Sequence, residues 1–287
     1  LSCDRLVGLV GRLVGRVDIV GTGAPSSTSS TGAPDPELLI ETCEHGWWYS
    51  APQPNGQLIV TLMTDADLTA AGPRDALSAR WQAALACTRH TSERCRGRRL
   101  DGPIRIVRAD TGCLIHSAGP GVLAIGDAAM SFDPIAGNGV ARAIRSGLEV
   151  AAAVDGALAG SALEHPSAVE RLAADLDRRA RYYLLEQRWP DASFWARRHP
   201  IDWTSAALTL DPVMLLHWNG HVPAREALVR AEALIPRGAI AAVLDALRTP
   251  QPAHVALGVS REHAPIGERR LLVGLQELVA AGVVMQG

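Results

Sequence analysis

The sequence contains no lysine: all 28 of its Lys/Arg positions are arginine. That absence excludes Schiff-base catalysis, a Walker-type phosphate lysine and any other mechanism that needs an ε-amine from this chain. Cysteine is sparse. The five present (Cys3, Cys43, Cys87, Cys95 and Cys113) are odd in number and contain no Cys-x-x-Cys. Free thiols in a reducing, cytoplasmic compartment are therefore expected, and no metal site. No run of about 20 apolar residues occurs, so no membrane span is expected. Basic and acidic residues nearly cancel, leaving a net charge of −2, which argues against a partner bound through phosphate neutralisation, so no nucleic-acid role is expected. The chain opens at Leu1-Ser2-Cys3-Asp4 without a methionine, and no charged segment leads into an apolar stretch and cleavage site. It is read as part of a longer polypeptide with no signal peptide.

What is present is 287 residues, 47% of them hydrophobic, the length of one large domain or two ordinary ones. Residues 4–20 carry apolar side chains at a helical spacing, but their Val and Gly content fits a strand, which is the expectation here. Residues 21–36 are mostly Gly, Ser, Thr, Ala and Pro and read as a loop. Segments 37–52 and 57–64 flank Pro54-Asn55-Gly56, predicting a hairpin with Asn-Gly at the centre of a type I′ turn. A helix is expected over 74–89, with Pro73 at its start. Arg94-Cys95-Arg96-Gly97-Arg98-Arg99 reads as a solvated loop. Ile104–Val107 and Gly121–Ile125 are short buried-strand candidates. A long Ala-rich helix is expected from about Asn138 to Leu158, and from residue 165 onward the pattern is almost wholly helical, broken at Pro190, Pro200, Pro212 and Pro223.

Val17-Asp18-Ile19-Val20-Gly21-Thr22-Gly23 imitates the strand and turn of a dinucleotide-binding unit. The third glycine position is Ser26, with Pro25 before it, and a Ser/Thr tract replaces the helix whose N-terminus would hold a pyrophosphate. The stronger signal is the stretch from Gly121 to Gly147. A strand ends at Gly126, where a missing side chain permits close approach to the backbone. Asp127 follows, a carboxylate able to accept hydrogen bonds from ribose-like or ribityl hydroxyls. Pro134 starts a turn, and Gly137 and Gly139 bare the amides where the Ala-rich helix begins. The positive end of that helix favours electron density on an adjacent ring, and a flavin gathers such density at its N1/C2=O edge on reduction.

These residues, G-D-A-A-x-x-x-x-P-x-x-G-x-G, resemble the second flavin-binding motif of the FAD-dependent monooxygenases and tryptophan-halogenase-like flavoproteins. The resemblance implies an α/β chain: a partial glutathione-reductase-like FAD-binding fold with a β-sheet substrate domain and a mostly helical C-terminal region. By match, the cofactor-binding residues are Gly126, Asp127, Pro134, Gly137, Asn138 and Gly139, and the cofactor is FAD. The stretch from Glu44 to Pro52 resembles a relaxed form of the halogenase G-W-x-W-x-I-P motif, with Tyr49 at the second Trp position and Ala51 at the Ile. On a strand, Trp47 and Tyr49 share a face, open to core or substrate-pocket roles, while Trp48 points the other way into the core. A third likeness is the aromatic-rich segment from Arg181 to Trp203, carrying Tyr182, Tyr183, Trp189, Phe194 and Trp195, which resembles a helical region of the same flavoproteins. Core packing and an aromatic or peptide-binding wall are both open to it.

The resemblance covers residues 4–220 and corresponds to the later part of such enzymes; their opening βαβ unit with G-x-G-x-x-G, which holds the ADP half of FAD, has no match here. The expectation is an N-terminally truncated chain, in which residues 1–160 form a partial FAD-binding and β-rich substrate domain. Residues 161–224 form a helical halogenase-like region, and 225–287 a small helical module compatible with a winged helix or a plain extension. The function implied is an FAD-dependent monooxygenase acting on an aromatic or indole-like small molecule or peptide. Its reductant would be a flavin reductase or NAD(P)H, reacting through the cofactor with O₂. The halogenase lysine either belongs to the unmatched opening part or does not exist, and together with the relaxed Trp motif this shifts the expectation modestly from halogenation towards hydroxylation or another flavin oxidation; a halogenase and a non-catalytic remnant are the alternatives. No catalytic acid or base is assignable, His45 and His116 being the nearest candidates.

Overall fold

The computed structural model describes residues 2–15, 37–69, 76–119, 121–160, 168–199, 206–211, 213–223, 225–263 and 267–287. The dinucleotide-like stretch from Val17 to Gly23, the Ser/Thr loop after it, and Pro73, Pro200, Trp203 and Pro212 lie outside these. The chain divides into two compact units, one of Leu6–Arg108 and one of Leu1–Arg5 with Ala109–Gly287.

The Leu6–Arg108 unit is a six-stranded sheet in the order β2-β3-β4-β1-β5, with β6 also on β1. Its strands are β1 (Leu6–Val14), β2 (Leu39–Cys43), β3 (Gly46–Pro52), β4 (Leu58–Asp65), β5 (Arg99–Leu100) and β6 (Arg105–Arg108), with helices α1 (Ala66–Thr69), α2 (Leu77–Ala86) and α3 (His90–Arg94) after β4. Every pairing is antiparallel. The segment left between helix and strand is a strand because its neighbours supply a full ladder, from Leu6 opposite Asp65 to Leu13 opposite Leu58. Alternation then sends Val7, Leu9 and Leu13 to the face that shares a core with Trp48, Val60 and Trp81. Trp81 of α2 meets Trp48 edge-on at 5.3 Å and donates its indole N–H to Leu9 O at 3.0 Å.

The predicted hairpin forms, with Pro52 opposite Leu58. Its turn is not the expected one. Gly56 N–H donates to Gln53 O at 3.0 Å, so Pro54-Asn55 occupies the centre. The pyrrolidine ring holds φ near −65°, whereas a type I′ turn needs positive φ at its first central residue. A second feature joins remote segments. Glu41 of β2 takes the amides of Arg89, His90 and Thr91 at 2.7, 3.1 and 2.7 Å and the Thr91 hydroxyl at 2.7 Å, capping α3 from across the sheet. Partial burial pushes this carboxyl up, but the Thr91 hydroxyl and the amides pull harder, and the net effect holds it below the usual carboxylate range.

The second unit contains β7 (Gly112–Cys113), β8 (Ala118–Gly119), β9 (Val122–Leu123), β10 (Met130–Ser131), α4 (Gly139–Leu158), α5 (Ala168–Tyr183) and α6 (Ser193–Ala196). It continues through β11 (Leu215–His217), α7 (Arg225–Leu234), α8 (Arg237–Ala246), β12 (Gln251–Pro252), α9 (Ala253–His263), α10 (Glu268–Ala280) and β13 (Met285–Gln286). The two buried-strand expectations fail on burial. All of β6 is exposed, and β9 is two residues paired only with β8, leaving Val122 68% and Ile125 44% exposed. Strands this short cannot be enclosed by neighbours on both faces. The chain's end has its own apolar core, from Leu210 through Leu244 and Leu271 to Val284. It is not wholly helical: β12-β11-β13 form an antiparallel sheet too short to leave an alternating sequence pattern.

Candidate functional site

Gly126–Ala128 form a single 3₁₀ turn that packs on α4. Gly126 has φ +56, and a Cβ there would stand 3.2 Å from the Ala143 Cβ. The missing side chain lets the turn close onto the helix, where the Gly126 amide donates to Ser146 Oγ at 3.3 Å. Asp127, exposed, thus stands beside α4 at the rim of a cavity of about 280 Å³. The cavity is lined by Gly126, Asp127, Phe132, Arg142, Arg145 and Asp175 among others. Arg142 lies 3.6 Å above the Phe132 ring and donates to Asp175 at 2.8 Å, with Arg178 3.7 Å from the same carboxylate. The walls are charged and aromatic, suited to a polyol or an anion.

The other matched residues form the entry to α4. Asp133 caps a one-turn helix over Pro134–Ala136 by accepting the Ile135 amide at 3.1 Å. Gly137 ends that turn at φ +62, with its amide on Pro134 O at 3.0 Å. Asn138 is the N-cap residue of α4, and its side chain makes no capping hydrogen bond. The first bond of α4 runs from Arg142 N–H to Asn138 O at 3.0 Å, so the amides of Gly139, Val140 and Ala141 have no acceptor in the helix. The space above Gly137 and Gly139 is open: a Cβ at either would meet no atom within 4 Å. Asn138 Oδ1 is shielded from solvent, and among the described residues no donor faces it. Bare amides, an orphaned acceptor and free space are what a flat, hydrogen-bonding ring with an electron-rich edge requires. The residues present fit a flavin. The cavity collects Gly126 and Asp127, whereas Pro134, Gly137, Asn138 and Gly139 lie outside its lining.

Trp47 is buried and Tyr49 half-buried, their rings 6.0 Å apart on one face of the Leu6–Arg108 sheet, while Trp48 faces the Trp81 core as expected. In the aromatic-rich segment Tyr183, Phe194 and Trp195 are buried in mutual contact, with centroids 5.2 to 6.0 Å apart, so these three are core; Tyr182 is exposed. His45 and His116 have exposed side chains. Burial pushes the thiols of Cys3 up to about 12 and of Cys43 and Cys95 up to about 11, which leaves them protonated and poor nucleophiles. Among the described residues no cluster of His, Cys, Asp and Glu could hold a metal ion, and no helix is long and apolar enough to cross a membrane.

Sequence reasoning did not reach Asp133, Arg142, Asp175 or Arg179. The last three lie on helix faces that read as solvated charge. A signal was available in α5, where Leu172, Asp175, Leu176, Arg179 and Tyr183 recur at helical spacing and share one buried face.

No protein-family model matches the chain. LodB of Marinomonas mediterranea, provisionally named an FAD-dependent oxidoreductase, is 29% identical over 212 residues, 69% of this chain and 57% of LodB. Among solved structures, QhpG is described as a peptidyl tryptophan dihydroxylase essential for tryptophylquinone cofactor biogenesis. It aligns with a TM-score of 0.55 at 22% identity, over 74% of this chain and 47% of its own. The myxobacterial chondrochloren halogenase CndH aligns with a TM-score of 0.51 at 22% identity, over 70% of this chain and 46% of its own. At these identities the two structures establish a shared fold. The chain spans about half the length of the proteins it matches.

Proposed function

We propose, from the premise that the chain resembles the FAD-dependent, halogenase-like flavoproteins in sequence and in fold, that it carries the ribityl- and ring-facing part of an FAD site in an oxidoreductase. The reaction is a monooxygenation of an aromatic or indole-like substrate, and the architecture is the later portion of a glutathione-reductase-like FAD-binding fold. The observation that carries this reading is the uncapped N-terminus of α4, its three bare amides and the orphaned Asn138 Oδ1, reached through the Pro134 turn from Asp127.

In this reading Asp127 accepts hydrogen bonds from the ribityl hydroxyls and so fixes where the cofactor's tail turns. The Gly139, Val140 and Ala141 amides face the N1/C2=O edge of the ring, and the helix dipole stabilises negative charge there by about 0.3–1 kcal/mol, rising to about 2 kcal/mol when partly buried. Asn138 Oδ1 accepts from a ring or ribityl donor. Gly137, in its left-handed conformation, keeps side-chain atoms off the ring face. Bound FAD supplies electron uptake from an external reductant, NAD(P)H or a reductase, and the chemistry of O₂ activation. In the same reading Trp47 and Tyr49 are the residues of the Leu6–Arg108 unit assigned to substrate contact, on their resemblance to the halogenase tryptophan motif.

The test supplies the protein with FAD, a reductant, O₂ and bromide, offers indole and a tryptophan-containing peptide, and weighs the products. A flavin-dependent, oxygen-sized mass gain supports the reading. Bromine incorporation replaces it with halogenation, and a full-length gene product that retains no flavin and changes neither substrate overturns it.

A further inference from the structure

The carboxylate that starts the Pro134 turn is held far more firmly than a cap requires. Asp133 is 3% exposed. One oxygen, Oδ1, caps the turn at Ile135 N. The other, Oδ2, accepts the hydroxyl of Tyr183 at 2.9 Å and lies 3.7 Å from Arg179 Nη1. Arg179 is anchored in turn: it donates to Thr111 Oγ1 at 2.9 Å and to the carboxylate of Asp4, whose Oδ1 accepts the Thr111 amide at 3.1 Å. The Tyr183 ring is packed by Phe194 at 6.0 Å and Trp195 at 5.7 Å, so its hydroxyl has little freedom to swing away. Burial holds the phenol well above its ordinary value, with Asp133 adding to the effect, and it stays a donor throughout the neutral range.

A solvent-exposed Asn or Ser would cap a single turn at less cost than a buried carboxylate. The extra partners from α5 therefore constrain something other than the turn's own hydrogen bond. Pro134, the Gly137 bend and the bare amides of α4 come directly after Asp133 in the chain and take their direction from it. We propose that Tyr183 is a positioning residue for the flavin: through Asp133 it sets the orientation of the Pro134–Gly137 turn and thereby aims the α4 amides at the ring. This rests on the flavin reading above and adds α5 to it. Tyr183 touches neither cofactor nor substrate in this account; it acts only through Asp133.

The experiment measures FAD affinity by fluorescence quenching, the visible spectrum of the bound flavin, and the melting temperature, for wild type and three variants. Tyr183→Phe keeps the ring and removes the donor. FAD binding is expected to weaken about tenfold, the equivalent of one buried hydrogen bond to a charged acceptor, with a shifted flavin absorption band. Thr111→Val loosens Arg179 from the far side without altering Tyr183. It is expected to weaken FAD by a few fold, and it serves in place of Tyr183→Phe if that variant does not fold. Leu244→Ala, in the separate carboxyl-terminal core, is expected to lower the melting temperature and leave FAD affinity at the wild-type value. Wild-type affinity and spectrum in Tyr183→Phe and Thr111→Val overturn the proposal, as does an equal loss in Leu244→Ala. A wild-type full-length gene product that takes up no FAD removes the flavin reading and this inference together, whereas wild-type uptake with an unaffected Tyr183→Phe removes the inference alone.

Discussion

Replacing Gly126 by Ala tests whether the closeness of the Asp127 turn to α4 organises the site. Two costs arise from the geometry. The backbone at φ +56 is left-handed, which costs a residue with a Cβ about 1–2 kcal/mol. The new methyl would also stand 3.2 Å from the Ala143 Cβ and 3.6 Å from its Cα. Neither of those atoms can yield without moving the helix, so the turn must lift by a few tenths of an ångström, stretching the 3.3 Å bond from the Gly126 amide to Ser146. Overpacking and the weakened bond raise the total to about 2–4 kcal/mol. Gly137→Ala is the internal reference. It has a similar φ of +62 but open space where the methyl would go, so it pays the conformational cost alone, about 1–2 kcal/mol. Urea titrations of both variants, with FAD titrations beside them, give the comparison. Gly126→Ala should be the less stable and should bind FAD at least tenfold more weakly, because Asp127 rides on the displaced turn. If Gly126→Ala is no less stable than Gly137→Ala in the urea titrations, the packing argument is wrong.

Glu41→Gln should destabilise the Leu6–Arg108 unit by about 1 kcal/mol at neutral pH through the weakened cap of α3. Because Glu41 sits below its ordinary value in the folded protein, its contribution is present above that value and lost as pH falls through the folded one. Wild type and variant should therefore converge in acid urea titrations. Trp48→Ala should cost about 3–5 kcal/mol by opening a cavity against Trp81, while Tyr49→Phe should stay within about 0.5 kcal/mol and change only substrate selectivity. Arg142→Met should cost about 2–3 kcal/mol, since among the described residues it leaves the largely buried Asp175 paired with Arg178 alone, at 3.7 Å; calorimetry of the variant would expose a smaller loss.

The parts legible in the sequence were those whose cause is local. β4 announces itself through Leu58-Ile59-Val60-Thr61-Leu62, and α4 through its alanines and the glycines before it, because propensity and turn chemistry act over a few residues. The Glu41 cap was not legible, since its partners stand 48 to 50 residues away and no local pattern links them. At Pro54 the proline outweighs the Asn-Gly signal, because its ring decides φ at the first central position. The same limit divides the candidate site. Asp127, Gly137 and Gly139 lie in one contiguous motif, whereas the hold on Asp133 needs Asp4, Thr111, Arg179 and Tyr183, brought together only by folding. The exposed apolar residues of β6 and β9 misled for another reason: hydrophobicity signals burial only where enough neighbouring strands exist to provide it.

The central claim is that Asp127 and the start of α4 grip one flavin. Titrating FAD into wild type and Asp127→Ala tests it most directly, since Asp127 is exposed and its removal leaves the packing intact. Saturable quenching is expected for wild type, and at least tenfold weaker binding for Asp127→Ala at an unchanged melting temperature. Both proteins are titrated as the full-length gene product, and equal FAD affinity in the two, or no binding by either, would contradict it.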